Sequence, residues 1–207
     1  TNTFGYDGKG QFRINNNSNL FEIWEKLGAV ECVLEELLDF KREISIMYFK
    51  STDNTDGFFP LSENFHENGI LKKTIAPAIL NDAIKDELKL KTKKLSENLN
   101  FYGIIAIELF ELVDGRIIFN EIAPRPHNSF HWTLDGCENS QFDILIRTIC
   151  GLPVKDVKCN TKWEMKNIIG DDANNLNEIY SNQNYLLNLY GKKNIKPGRK
   201  MGHYNRQ

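Results

Sequence analysis

The chain has 207 residues, 41% of them hydrophobic and 26% charged, with a formal net charge of −2. That length gives room for one large domain, or one and a half small ones, with a core of its own. The composition excludes a disordered or fibrous chain and a generally basic nucleic-acid binder; no apolar run reaches the ~18 residues of a membrane-spanning helix.

The chain opens Thr1-Asn2-Thr3-Phe4-Gly5, with no Met and no helix or strand start, and is expected to be a piece of something longer. No signal peptide is expected from its opening residues. Cys32, Cys137, Cys150 and Cys159 show no C-x-x-C spacing, which argues against zinc and for reduced thiols in a cytoplasmic protein. Three glycines fall within Gly5-Tyr6-Asp7-Gly8-Lys9-Gly10-Gln11. Such a loop lets backbone N–H groups approach a phosphate, although Asp7-Gly8 alone more often means a plain hairpin turn. Residues 11–14 look strand-like. Ser18 is expected to cap a helix with apolar Leu20, Ile23, Trp24 and Leu27, stopped at Gly28. Short β-like runs follow at residues 30–34, 43–49 and 58–61. Glu35-Glu36-Leu37-Leu38 is expected on a strand, where backbone groups suit an adenine edge and a carboxylate suits ribose hydroxyls. Ordinary exposed acidic residues are the other reading.

Residues 80–99 have helical periodicity with lysines on the outer face. Residues 104–113 and 116–122 read as a hairpin about Asp114-Gly115. In a two-residue loop Val113 faces Arg116, and counting back places Glu108 opposite Glu121. Opposed side chains in an antiparallel pair lie roughly 5 Å apart, and like charges there repel. Glu108 also interrupts an apolar strand, where a lone carboxylate is costly. The pair becomes favourable if it shares Mg²⁺, which takes one or two carboxylates together with nucleotide phosphates. The alternatives are a glutamate turned to solvent, or a bulge that shifts the register.

The strand runs on into Asn120-Glu121-Ile122-Ala123-Pro124-Arg125-Pro126-His127-Asn128-Ser129. Its prolines stiffen the exit, so that Arg125, His127 and Asn128 leave the sheet just beyond the carboxylates. Arginine offers a planar cationic fork for an oxyanion, and histidine exchanges protons near neutral pH. Residues 141–150 form a short amphipathic helix ended by Gly151 and Pro153. The remainder is polar and β-like, and its tail holds a basic cluster with Lys192, Arg199 and Lys200, suited to a phosphate group. Paired strands and separated helices, without β-α-β alternation, indicate an α+β fold. The expected units are residues 1–152 and a small β-rich unit at 153–207.

The two long strings above, with Glu63-Asn64-Phe65-His66-Glu67-Asn68-Gly69-Ile70-Leu71, His131-Trp132-Thr133, Ser140-Gln141-Phe142 and Gly198-Arg199-Lys200-Met201-Gly202-His203, occur in an order that resembles the N5-carboxyaminoimidazole ribonucleotide synthase family of ATP-grasp enzymes. The resemblance implies an ATP-grasp fold and an ATP-dependent carbon–nitrogen ligase of de novo purine synthesis. ATP, bicarbonate and 5-aminoimidazole ribonucleotide would give the N5-carboxy product, ADP and phosphate by way of carboxyphosphate. It implies Mg²⁺ on Glu108 and Glu121. ATP would meet Gly5, Gly8, Lys9, Gly10, Gln11, Glu35, Glu36, Leu37, Leu38, Glu43, His66 and Asn120. The ribonucleotide would meet Tyr6, Asp7, Lys192, Arg199 and Lys200, and bicarbonate or carboxyphosphate Arg125, His127 and Asn128. A homodimer, with no nucleic-acid or membrane partner, is implied as well.

Two departures stand out. Phe130 replaces the family's usual Gly, and either narrows the site or packs. The family's first domain, its lid subdomain and an ATP-contacting lysine expected just before Thr1 are not within these residues. A related purine-pathway ATP-grasp ligase and a non-catalytic remnant that binds nucleotide are the competing readings.

Overall fold

The computed structural model describes residues 10–159 and 161–207. In chain order the helices are α1 (Leu20–Lys26), α2 (Asp82–Asn98), α3 (Thr133–Gly136), α4 (Gln141–Ile149) and α5 (Asn177–Ser181). The strands are β1 (Phe40–Lys50), β2 (Asp56–Phe58), β3 (Ser62–Glu67), β4 (Ile70–Ala76), β5 (Gly103–Leu112), β6 (Ile117–Ala123), β7 (Trp163–Ile169), β8 (Leu186–Leu189) and β9 (Lys200–Arg206). All pair antiparallel in one nine-stranded sheet, ordered β6-β5-β1-β3-β4-β7-β9-β8, with β2 on β1.

β1 and β5 are buried on both faces, which is why their sequences are nearly continuous apolar runs. On one face Ile44, Ile46, Ile105, Ile107 and Leu109 pack beneath Leu88, Ile84 and Leu95 of α2. On the other, Met47, Phe49, Ile104, Ala106 and Ala123 meet Phe130, Trp132 and Ile144 from the segment after β6. Phe130 is fully buried with its ring edge-on to Phe59, so it packs into the core. The α4 helix starts in a capping box, in which Ser140 N–H donates to Asp143 (3.0 Å) and Ser140 Oγ accepts from Asp143 N–H (3.3 Å).

Several expectations change. The α1 helix is capped by Asn19, whose Oδ1 accepts from Phe21 and Glu22 N–H; Ser18 instead accepts from Asn15 N–H. Residues 11–14 and 30–38 are not strands, and Leu34 and Leu37 are 76% and 68% exposed. A β-strand needs a neighbour, and among the described residues nothing pairs with these runs. Residues 59–61 link two short strands that both pair with β1. The β3–β4 hairpin turns on Asn68-Gly69, both at positive φ (51° and 75°), as Asn-Gly turns require.

The cysteines also differ from expectation. Cys137 and Cys159 are disulfide-bonded, while Cys32 and Cys150 are free and exposed. An isolated antiparallel bridge between residues 137 and 159 brings the two Cα atoms within 4.5 Å, so adjacency in space replaces adjacency in sequence. A cross-link over a separation of 22 residues restricts the unfolded chain. Reduction, or Cys137→Ser, is expected to lower the unfolding free energy by about 3 kcal/mol. Urea titrations with and without reductant measure this, and identical midpoints would contradict it.

Candidate active site

The expected facing of Glu108 and Glu121 is present. The route to it is not the two-residue turn. Leu112 N–H donates to Arg116 O (2.9 Å) across Val113-Asp114-Gly115, with Gly115 at φ 86°. This three-residue loop pairs Glu111 with Ile117 and Leu109 with Phe119, one position out of the expected register. A bulge at Asn120 then restores it, so that Glu108 meets Glu121 and Ala106 meets Ala123. Bulges re-aim side chains in this way at many functional sites.

The two carboxylates lie on the face that carries Ala106 and Ala123, where the apolar core gives way to polar groups. On neighbouring strands that face holds Glu43, Ser45, Ser62, Asn64 and Thr74. Asn64 Nδ2 donates to Ser45 Oγ (2.6 Å), and Thr74 Oγ1 donates to Asn64 Oδ1 (3.0 Å). His66 Nδ1 contacts the Glu43 carboxylate. Burial, followed by the charges of Glu121 and Glu43, raises the Glu108 pKa, and His66 and Lys200 oppose that rise. Among the described residues no three His, Cys, Asp or Glu groups are set to hold a metal by themselves. A pair of facing carboxylates with one pushed toward protonation fits a Mg²⁺ ion that draws its other ligands from phosphate and water.

Past β6 the chain delivers the second group of expected residues. The His127 ring is 10% exposed; its Nε2 lies 3.5 Å from Glu108 Oε1 and its Nδ1 lies 2.8 Å from Ser129 Oγ. Burial first, then the cations Arg125 and Lys200, lower its pKa to about 3. The free ring is therefore neutral at pH 7. The Arg125 guanidinium is exposed and donates to Pro126 O (3.1 Å). Both amide atoms of Asn128 are buried with no hydrogen-bond partner among the described residues. An orphaned donor and acceptor beside His127 and Arg125 fit a small oxyanion.

The loop is pinned from below. Trp132 Nε1 donates to Ser62 Oγ (2.9 Å), and Thr133 Oγ1 donates to Phe130 O (2.7 Å). His131 stacks between Phe142 and His203, and His203 Nδ1 meets the Tyr190 hydroxyl at 2.7 Å. This histidine stack went unrecognised in the sequence, because its members lie 72 positions apart and meet only when β9 joins the sheet.

The basic tail reaches the same region. Lys192 Nζ donates to Lys200 O (2.5 Å), and Arg199 Nη1 donates to Asn194 O (3.0 Å). Burial, then Arg199 and Lys200, hold the Lys192 pKa below its ordinary value. Lys200 acts electrostatically on Glu108, His127 and His131 alike, which links the cationic cluster to the carboxylates. Glu43 and His66 belong to this assembly, and Asn120 is the exposed bulge residue beside Glu121. Glu35, Glu36, Leu37 and Leu38 stand on a loop rather than the expected strand, leading into β1. Gly10 and Gln11 are exposed. Gly5, Tyr6, Asp7, Gly8 and Lys9 lie outside the described residues.

An antiparallel sheet with facing carboxylates beside a cationic cluster defines a class. Residues 1–142 match the family model of the ATP-grasp domain, and the chain belongs to that family. Residues 164–206 match the phosphoribosylaminoimidazole carboxylase C-terminal domain. The chain is 40% identical over 200 residues to N5-carboxyaminoimidazole ribonucleotide synthase of Bacillus subtilis, covering 96% of this chain and 53% of that protein. It is 37% identical over 229 residues to the bifunctional purine synthesis protein purC/E of Dictyostelium discoideum, covering 100% of this chain and 23% of that one. A crystal structure of N5-carboxyaminoimidazole synthetase from Staphylococcus aureus complexed with ADP superposes with TM-score 0.91 at 38% identity, covering 98% of this chain and 54% of that one. The Aspergillus clavatus N5-carboxyaminoimidazole synthase, in complex with ADP and 5-aminoimidazole ribonucleotide, superposes with TM-score 0.82 at 33% identity, covering 95% and 54%. The chain thus spans about half the length of the synthases it matches.

The stacked histidines have a consequence for stability. Burial, followed by Lys200, lowers the His131 pKa to about 4; burial, followed by His131, lowers that of His203 to about 3. The unfolded chain binds these protons from about pH 6.5 downward and the fold does not. Their stabilising contribution is complete above about pH 6.5. Below it, unfolding free energy is expected to fall by up to about 1.4 kcal/mol per pH unit for each histidine. Urea unfolding at about pH 7.5 and about pH 5.5 measures the loss, and it should shrink in His203→Gln.

Proposed function

We propose that this chain is the ATP-binding and C-terminal part of an enzyme that carboxylates 5-aminoimidazole ribonucleotide at N5 with ATP and bicarbonate, in de novo purine synthesis. The observation that carries this reading is the facing of Glu108 and Glu121, with His127 Nε2 3.5 Å from Glu108 and Lys200 of the basic tail near enough to act on both Glu108 and His127. The relatives named above support the choice of substrates.

In this reading Glu108 and Glu121 hold Mg²⁺, which supplies charge neutralisation for the ATP phosphates. Gly5, Gly8, Lys9, Gly10 and Gln11 cover those phosphates. Glu35, Glu36, Leu37, Leu38, Glu43, His66 and Asn120 serve the nucleotide. Arg125 and the Asn128 amide bind and orient bicarbonate, and then its phosphorylated form. Neutral His127 stands beside them as a hydrogen-bonding group able to take or give a proton at Nε2. Tyr6, Asp7, Lys192, Arg199 and Lys200 hold the ribonucleotide, the cations taking its phosphate. The amine then captures the carboxyl carbon, or CO₂ released beside it, as inorganic phosphate leaves and the amine gives up a proton. Clamping mutually repelling anions in one orientation is the larger part of the catalytic task. The functional units are residues 1–152 and 153–207, within a cytoplasmic homodimer.

The test is phosphate release from ATP by the protein as its gene encodes it. Release should depend on bicarbonate and rise with the ribonucleotide. Stimulation by formate and glycinamide ribonucleotide instead would assign a different ligase, and no stimulated release would indicate a nucleotide-binding remnant. Glu121→Gln is expected to weaken Mg-ATP binding about tenfold or more, since it removes one of two carboxylates. Calorimetry showing unchanged affinity would remove the metal assignment. Arg199→Ala is expected to raise KM for the ribonucleotide about tenfold or more with little change for ATP, because a charge-assisted phosphate contact is lost. Equal effects on both substrates would indicate a structural role.

A further inference from the structure

Gln141 is fully buried and stands at the first position of α4. The helix does not need its amide, since Ser140 and Asp143 supply the capping box. The Gln141 N–H has its own acceptor in Thr133 Oγ1 (3.0 Å). The side chain instead turns back to the loop after β6. Its Oε1 accepts from the His127 backbone N–H (2.8 Å), while Nε2 donates to His127 O (3.0 Å) and lies 2.9 Å from His131 Nδ1. A backbone N–H only donates and a backbone carbonyl only accepts, so the orientation of this amide is determined by its partners. Nε2 then has one hydrogen left, directed at His131 Nδ1. That nitrogen must present a lone pair, which places the ring proton of His131 on Nε2.

We infer that Gln141 is a positioning residue: it holds the backbone of His127 at both polar atoms and sets the tautomer of His131, so that the His127 ring stays aimed at Glu108. The inference rests on the role proposed for His127 above. The residue carrying the His127 ring is extended (φ −124°, ψ 145°) immediately before a 3₁₀ turn, a junction with no hydrogen bond of its own from a capping side chain. Without the amide, the buried His127 N–H loses its acceptor and its C=O keeps only the Phe130 N–H (3.0 Å), so the chain is freer to rotate the ring away from Ser129 Oγ and Glu108. The stack of His131 on His203 extends the same link to β9, the strand that starts at Lys200. The amide therefore also ties the loop to the strand bearing part of the cationic cluster.

The test uses the protein as its gene encodes it. In the wild type, ¹⁵N-detected imidazole spectra at neutral pH should show His131 as a single Nε2–H tautomer with Nδ1 as a hydrogen-bond acceptor. An Nδ1–H tautomer or a mixture would overturn the assignment with no variant needed. Gln141→Met, of similar volume without hydrogen bonds, is expected to lose that signature. It should lower kcat for bicarbonate-dependent turnover about 10- to 100-fold while KM for ATP stays within about twofold. Gln141→Glu keeps the acceptor for the His127 N–H and loses both donors, so it should fall between the two in kcat and also release the His131 tautomer. A folded Met variant with unchanged kcat, or with KM for both substrates raised as much as kcat falls, would overturn the positioning role. If Gln141→Met does not fold, the wild-type spectrum and the Glu variant decide. A wild-type protein that shows the tautomer but no bicarbonate-dependent turnover would reject the proposed function and leave the Gln141 bonds standing.

Discussion

Two carboxylates face each other across adjacent strands, and much of the surrounding structure answers to that placement. Glu108 and Glu121 repel, and Glu108 is largely withdrawn from water, with a side chain only 16% exposed. A sheet face that is apolar at Ala106 and Ala123 becomes polar one pair further along, with Ser45, Ser62, Asn64 and Thr74 bonded to one another or to Trp132. His66 and Lys200 bring charge that opposes the rise in the Glu108 pKa. Repulsion between facing carboxylates is what a divalent cation with phosphate ligands relieves.

The C-terminal strands matter because they are part of the same sheet. The β7 strand pairs with β4, and β9 pairs with β7, so Lys200 reaches the region of Glu108 by way of the sheet. The two family-model matches, residues 1–142 and 164–206, thus fall on either side of one continuous hydrogen-bonded ladder. The segment between them is tied down by the Cys137–Cys159 bond close to Trp132 and Trp163. The loop from His127 to Thr133 is held from three directions: Ser62 on the sheet, Gln141 on α4 and His203 on β9. Its position is therefore a property of the whole assembly rather than of its own backbone preferences.

Local chemistry written into the chain carried far. The apolar runs of β5 and β1, the helix after Asn81 and the Ser140 cap are dictated by neighbours a few residues away, and so they can be read in one dimension. The glutamate pair could be read as well, though through two compensating departures. The turn is one residue longer than Asp114-Gly115 suggests, and the bulge at Asn120 takes that residue back. Counting along a hairpin cannot detect an insertion in the loop that a bulge cancels. The Asn68-Gly69 turn follows local chemistry too, and the hairpin it closes carries His66 on β3, with its ring against Glu43.

Pairing between distant segments lay beyond that reach. Residues 30–38 have β-like composition but no strand beside them among the described residues, and composition cannot supply a partner. Cys137 and Cys159, or His131 and His203, become neighbours only once the sheet is assembled, because hydrogen-bonded ladders bring together residues at any separation. Residue types and spacings single out the groups proposed for metal, oxyanion and phosphate. The approach of His127 and Lys200 to Glu108, the low pKa values of the buried histidines and the grip of Gln141 on His127 come from packing, which sets distance and dielectric where sequence sets only identity.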